Sequence, residues 1–394
     1  IRESGYIMYD ILLMNKISPA GLSQLDPAQY HCAEDIVAPD AIMVRSASLH
    51  EMQFNPKTKA IARAGAGVNN IPCEECVKKG IVVFNTPGAN ANAVKELVIL
   101  GLLMGSRKVA DALIWAQGLK GNGDQVGKMV EKGKGQFAGP EIQGKTLGVV
   151  GLGAIGVLVA NAAVALGMKV LGYDPYLGVK NAWSLSPSVT HVGSLDALFA
   201  QSDYITLHIP FTPETKDTVN AESIAKMKDG ARVLNFARGA LVNSQDMAAA
   251  LESGKIAAYV TDFPDDALLG VPGVVAIPHL GASTPESEDN CATMAAQELK
   301  EYLENGNITN SVNLPNVSSP RTGDLRICVI HENAKGIIAQ ITTILGDSDL
   351  NIENMVNASK KDYAYSIFDI TGTPTGDALD QIAAVPGVIK VRTI

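Results

Sequence analysis

Leu147-Gly148-Val149-Val150-Gly151-Leu152-Gly153-Ala154-Ile155-Gly156 decides the fold: an apolar run breaks into three spaced glycines. The pattern predicts a strand, a tight turn and the start of a helix. Gly151 permits the turn, Gly153 lets the backbone approach a pyrophosphate, and Gly156 lets the helix pack on the strand with its N-terminal N–H groups aimed at phosphates. Ala154 and Ile155 fall in that turn. An Ala-rich helix follows, then a second strand, Lys169 to Tyr173, that ends in Asp174. An acid at this strand end accepts from the adenosine ribose hydroxyls and repels a 2′-phosphate, which argues for NAD over NADP.

The chain has 394 residues, 46% hydrophobic and 19% charged, with a net charge of −9. Its length predicts two or three domains. There is no long uninterrupted apolar run and hence no expected membrane span, and the acidic balance argues against a general nucleic-acid surface. Five scattered cysteines fit reduced thiols in a cytoplasmic protein, with the Cys73/Cys76 pair structural. No secretory signal pattern is visible. Residues 1–7 precede a plausible start at Met8 and are expected to be foreign to the natural chain.

Working outward, the front of the chain alternates short strands with helices: Ile11 to Met14, Ala41 to Val44, Ile61-Ala62 and Ile81 to Phe84. That predicts a small parallel α/β domain. Polar residues follow its strands, Arg45-Ser46, Gly65 to Val68 and Asn85 to Asn92, where a parallel sheet binds ligands. Ala93 to Gln117 is expected to be one long crossover helix, and Gly118 to Gly144 a surface connection. About six strands are expected from Leu147 to Ile277. A helix from Pro285 to about Glu304 leads into an Asn/Ser/Pro-rich linker, Asn305 to Pro320. The tail then reads βαββαβ, a ferredoxin-like module needing no residue from the front of the chain.

Three polar positions fall at strand ends on the cofactor side. Arg238 can grip a carboxylate in two-pronged fashion. His279 suits proton transfer near neutrality. Asp265 and Asp266 follow the strand-end Asp262, and an acid paired with the imidazole would raise its pKa and orient it. An Arg, an acid and a His beside NAD make a site for oxidising an alcohol α to a carboxylate.

Arg63 to Ile71, the glycine turn with Asp174, Asn235 to Gly239, Tyr259 to Pro264 and Pro278 to Thr284 together resemble the NAD-dependent D-2-hydroxyacid dehydrogenases, from Met8 to Ile394. The resemblance implies an α/β architecture: a flavodoxin-like substrate domain (8–92 and 282–316), an inserted Rossmann NAD domain (93–281) and a ferredoxin-like ACT regulatory domain (321–394). The active site is expected in the cleft between the first two. The resemblance further implies Arg238 as substrate anchor, His279 as acid/base, Asp266 rather than Asp265 as its partner, and Asp262 as ligand of the nicotinamide carboxamide. Ala237 and Gly281 join the cofactor residues. Ala154 stands where relatives often carry Arg, leaving the phosphate contact to the backbone.

Arg45, Ser46, Gly67 and Asn90 match substrate-loop positions of the branch that oxidises D-3-phosphoglycerate to 3-phosphohydroxypyruvate. His331, Asn333 and Asn351 match L-serine ligands of its serine-inhibited members, with Asn351 supplied by a partner in a homodimer or homotetramer. Lys335 departs from the proline usual before Gly336. No metal is expected. The rival expectations are another D-2-hydroxy acid or an NAD-sensing corepressor.

Overall fold

Apolar runs buried on both faces, Ala41–Val44, residues 60–62 and Val82–Phe84, form most of the first sheet, as parallel strands require. The computed structural model describes residues 8–374 and 376–394; the expectation about residues 1–7 lies outside them. Strands β1 (Tyr9–Met14), β2 (Tyr30–Ala33), β3 (Ala41–Val44), β4 (Ala60–Arg63) and β5 (Val82–Phe84) are joined by loops and by two short helices, α1 (Pro19–Leu22) between β1 and β2 and α2 (Cys73–Lys78) between β4 and β5. They form a parallel sheet of order β2-β1-β3-β4-β5. Strand β2 went unforeseen because only Tyr30 of Tyr-His-Cys-Ala is fully buried, so its pattern carries little periodicity.

The chain forms two units, one of residues up to Asn90 with Pro285–Ile394, the other Ala91–Thr284. The second opens with α3 (Ala91–Arg107) and α4 (Val109–Gln117). The expected single helix is therefore two, broken where Lys108 takes a left-handed φ of 44°. The expected surface connection likewise contains a helix, α5 (Val126–Gly133), with no buried residue.

Strands β6 (Thr146–Val150), β7 (Lys169–Tyr173), β8 (Val189–His191), β9 (Tyr204–Leu207), β10 (Ala231–Asn235), β11 (Ile256–Thr261) and β12 (Val274–Ala276) alternate with α6 (Ala154–Ala165), α7 (Val179–Ser184), α8 (Leu195–Gln201), α9 (Ala221–Lys226) and α10 (Ser244–Glu252). The sheet has seven strands, not six, in the order β8-β7-β6-β9-β10-β11-β12; β8 is a three-residue edge strand. All its pairings are parallel. The order reverses between β6 and β9, which places a ligand crevice at their carboxyl ends.

The return to the first unit is α11 (Pro285–Asn305), and the tail is β13 (Leu325–Glu332), α12 (Ile337–Asp347), β14 (Asn351–Lys360), β15 (Tyr363–Thr371), α13 (Gly376–Ala383) and β16 (Val388–Thr393). Its antiparallel order, β14-β15-β13-β16, is ferredoxin-like. Among the described residues no helix is long and apolar enough to cross a membrane.

Two expectations fail here. The 305–320 segment is no loose linker: Ile308 and Leu314 are buried, and Ser311 Oγ donates to Val83 O on the edge strand β5. Nor is the tail self-sufficient. Cys328, Ile330, Tyr365 and Ile367 share one apolar cluster with Phe84, Tyr302 and Leu303. Fully buried Arg326 grips both oxygens of buried Asp369 at 2.7 and 2.8 Å, and also donates to Asn305 O, Ser319 O and Pro320 O. Arg392 reaches Tyr302 O at the end of α11 and lies over the Tyr302 ring. Composition alone hid this, because the polar segment is satisfied by partners distant in sequence.

Burial alone would raise the Asp369 pKa, but Arg326 outweighs it and holds the carboxyl below its ordinary value. A lowered folded-state pKa contributes stability above the unfolded pKa that is lost as pH falls through the folded one. Asp369→Asn, which leaves Arg326 charged and uncompensated, is expected to cost about 3–5 kcal/mol at neutral pH. Urea unfolding checks this, and the gap to the native chain closes on acidification.

Candidate functional site

The glycine turn is built by contacts that admit no side chain at two positions and leave the third open. Gly151 has φ +90°, and a Cβ there would lie 2.6 Å from His208 O at the end of β9. A Cβ on Gly156 would lie 1.9 Å from Gly151 O, so α6 packs backbone against backbone. Gly153, at the helix N-cap, has nothing within 4 Å of its Cβ position. Ala154 is exposed and Ile155 half-buried, and the first turn of α6 carries no acid to compete for its N–H groups. This vacancy beside free amides fits a pyrophosphate.

Asp174 has a task that the sequence did not disclose. Its Oδ2 accepts from Leu152 N–H and its Oδ1 from Tyr176 N–H, both at 2.8 Å. The carboxylate thus ties the end of β7 to the glycine turn, while the second lone pair of each oxygen can accept a ribose hydroxyl. His208, also unforeseen, stands at the other side of the turn. Burial drops its pKa to about 4, so it is neutral at pH 7 and its Nε2 bonds Thr206 Oγ1 at 2.9 Å. Its position next to Gly151 follows from the switch between β6 and β9, which motif spacing does not reveal.

Further along the same sheet edge, Asn235 organises the turn that carries Arg238. Its amide donates to Arg238 O at 2.9 Å, and its Oδ1 accepts from Ala237 N–H. The Arg238 guanidinium is exposed, with Nη1 donating to Ala237 O. Asp262 is only 1% exposed, yet neither carboxylate oxygen has a hydrogen-bond partner among the described residues. Desolvation raises its pKa, opposed by the charges of His279 and Arg238 and by the Gly281 backbone. A Cβ on Gly281 would stand 3.5 Å from Asp262 Oδ2. A buried acceptor without a donor is costly, and the amide group of a nicotinamide would satisfy it.

His279 is exposed, with its ring 4.5 Å from that of Phe263 between centroids. No hydrogen bond or ion pair joins it to either expected partner among the described residues. Asp265 instead accepts from Ser244 Oγ at 2.5 Å, and Asp266 is solvent-exposed. The charge of His279 acts instead on Asp262, where it lowers the carboxyl pKa against the larger effect of desolvation.

In the first unit, three loops after β3, β4 and β5 are cross-linked. Asn85 donates to Ala66 O and Thr86 N–H to Gly65 O, leaving Gly67 with open space above it. Arg63 and Asn70 donate to Arg45 O, and Asn15 accepts from Ser46 and Ala47 N–H. Arg45 Nη2 donates to Glu288 in the first turn of α11 at 2.5 Å, a contact that spacing could not foresee. Asn90 is half-buried near this loop set.

In the tail, His331 is 2% exposed, with Nε2 bonded to Ser366 Oγ and Nδ1 to Glu332 O. Asn333 donates to Lys361 O, and Asn351 to Glu353. Each of the three matched residues is engaged by bonds within the chain.

Comparison with known proteins agrees with this geometry. Residues 109–281 match the D-isomer specific 2-hydroxyacid dehydrogenase, NAD binding domain. The D-3-phosphoglycerate dehydrogenase of Methanocaldococcus jannaschii is 36% identical over 78% of this chain and 58% of its own length. The D-3-phosphoglycerate dehydrogenase 1 of Saccharomyces cerevisiae is 32% identical over 83% of this chain and 72% of its own. This chain thus spans little more than half of the archaeal relative. Among solved structures, the NAD+-bound 3-phosphoglycerate dehydrogenase of Entamoeba histolytica covers 78% of this chain and 99% of its own, with TM-score 0.60 and 28% identity.

The glycine geometry separates folding from binding. Gly153→Ala is expected to leave the thermal midpoint unchanged while weakening NAD binding at least about tenfold, because the methyl enters the pyrophosphate space. Gly156→Ala is expected to lower the midpoint itself. Calorimetric titration and thermal unfolding of both variants check this.

Proposed function

Because the chain belongs to the D-isomer specific 2-hydroxyacid dehydrogenases, we propose that it oxidises D-3-phosphoglycerate to 3-phosphohydroxypyruvate with NAD. The observation that carries the reading is the unsatisfied, buried Asp262 flanked electrostatically by Arg238 and His279. Bound NAD supplies the hydride acceptor. Arg238 holds the substrate carboxylate and polarises the carbon that becomes a carbonyl. His279 takes the hydroxyl proton, with Phe263 against its ring limiting its orientation. Asp262, whose carboxylate favours a positive neighbour, stabilises the imidazolium that forms, and its free oxygen accepts from the carboxamide. Arg45 is the proposed ligand of the substrate phosphate, with Ser46, Gly67 and Asn90 in the same loop set.

The relatives' names support the phosphoglycerate substrate over other D-2-hydroxy acids. We further assign the βαββαβ tail an ACT-type regulatory role with L-serine as effector, supported by its resemblance. His331 must then release Ser366 or the Glu332 carbonyl to serve serine. Leu113 and Ile114 stand exposed on α4 and support a homodimer or homotetramer. A cytoplasmic location suits its five unpaired thiols.

The test is NADH oxidation by 3-phosphohydroxypyruvate. His279→Ala is expected to lower kcat about 10²–10⁴-fold, and Arg45→Met to raise KM for the phosphorylated substrate while leaving kcat for an unphosphorylated 2-oxo acid unchanged. NAD binding without turnover of any 2-oxo acid would favour the corepressor reading instead. Turnover that L-serine leaves untouched would remove the regulator but keep the enzyme.

A further inference from the structure

Away from these residues, the first unit contains a cavity of about 380 Å³ where α2 faces the turn between β14 and β15. That volume lies in the range of small-ligand sites. Two asparagines fix its walls. Asn313 donates to Cys73 O and Ile81 O and accepts from Val83 N–H. Asn333 donates its N–H to Asp362 O at 2.8 Å and its amide to Lys361 O at 3.1 Å, holding a turn in which Lys361 has φ +56°.

What the walls leave unsatisfied is charge. Lys78, Lys360 and Lys361 line the cavity with Glu74 and Asp362, and none of these five closes an ion pair among the described residues, although the adjacent Lys79–Glu75 pair does. Lys360 spends one donor on Ser311 O at 3.0 Å. Its ammonium is held below its ordinary pKa by burial and then by Lys361, so two like charges converge without a counter-ion. Cations exceed acids by one. Tyr363 adds a hydroxyl that makes no hydrogen bond among the described residues.

We propose that this cavity binds a compact oxyanion, a carboxylate or phosphate group, between Lys360 and Lys361 of the tail and Lys78 of α2. An anion there removes the repulsion between the two tail ammoniums, and the fixed walls spare it most of the ordering cost of binding. Since it touches α2 and the tail together, it stabilises the docked tail by mass action. The site uses no residue of the proposed dehydrogenase chemistry and stands or falls without it.

Hydrogen exchange on the full chain tests the site, with inorganic phosphate or malonate as probe and ionic strength held constant with sodium chloride. Slower exchange in residues 73–78 and 360–363 is the expected result. Protection by phosphate alone, malonate alone or both supports the site and says which group it takes. Lys361→Met is expected to weaken the probe roughly fivefold, the size of one exposed ion pair. Glu74→Gln, which removes a repelling carboxylate, is expected to tighten it, an effect that misfolding does not produce. Protection absent from both segments, equal in the Lys361→Met chain, or weakened by Glu74→Gln would overturn the proposal.

Discussion

The rest of the NAD-binding unit depends on one backbone contact, the approach of Gly156 to the carbonyl of Gly151. It sets how closely α6 lies on β6 and therefore where the free N–H groups of α6 point. The same Gly151 sits against His208 O, so strands β6 and β9 part at the only place where the sheet order reverses. A helix end with open amides, a topological crevice and an uncluttered Gly153 then coincide. Asp174 closes the arrangement by tying β7 to Leu152 N–H.

Charge in the site follows from burial. Asp262 gives up water, and desolvation raises its pKa more than the charges of His279 and Arg238 and the Gly281 backbone lower it. Arg238 and His279 stay exposed and keep their freedom to meet a substrate. The separation fits the proposed roles: the carboxylate proposed to address the cofactor is buried, whereas the side chains proposed to meet the substrate are exposed.

Much of the fold was legible because its signals are local. The glycine turn, the apolar strands Ala41–Val44 and Lys169–Tyr173, and the tail's βαββαβ order each follow from periodicity or a special backbone need. What escaped depends on partners far away in sequence. Lys108 breaks a helix that its neighbours would continue, and β8 is too short to show a period. Arg326 and Arg392 bind the tail to α11 through carbonyls, which carry no sequence signature. At the site, Arg238, Asp262 and His279 were legible as polar residues at strand ends. The engagement of Asp265 by Ser244, of Arg45 by Glu288 and of His331 by Ser366 was not, since each joins separate elements.

The central claim is the proposed one: a nicotinamide anchored on Asp262 exchanges a hydride with C2 of a D-2-hydroxy acid, while Arg238 holds the carboxylate and His279 takes or returns the hydroxyl proton. NADH deuterated at the transferring position of its nicotinamide ring, incubated with 3-phosphohydroxypyruvate and the native chain, tests it directly by NMR of the product. The account predicts D-3-phosphoglycerate with deuterium on C2. Product with no deuterium on C2, or product of L configuration, would contradict it.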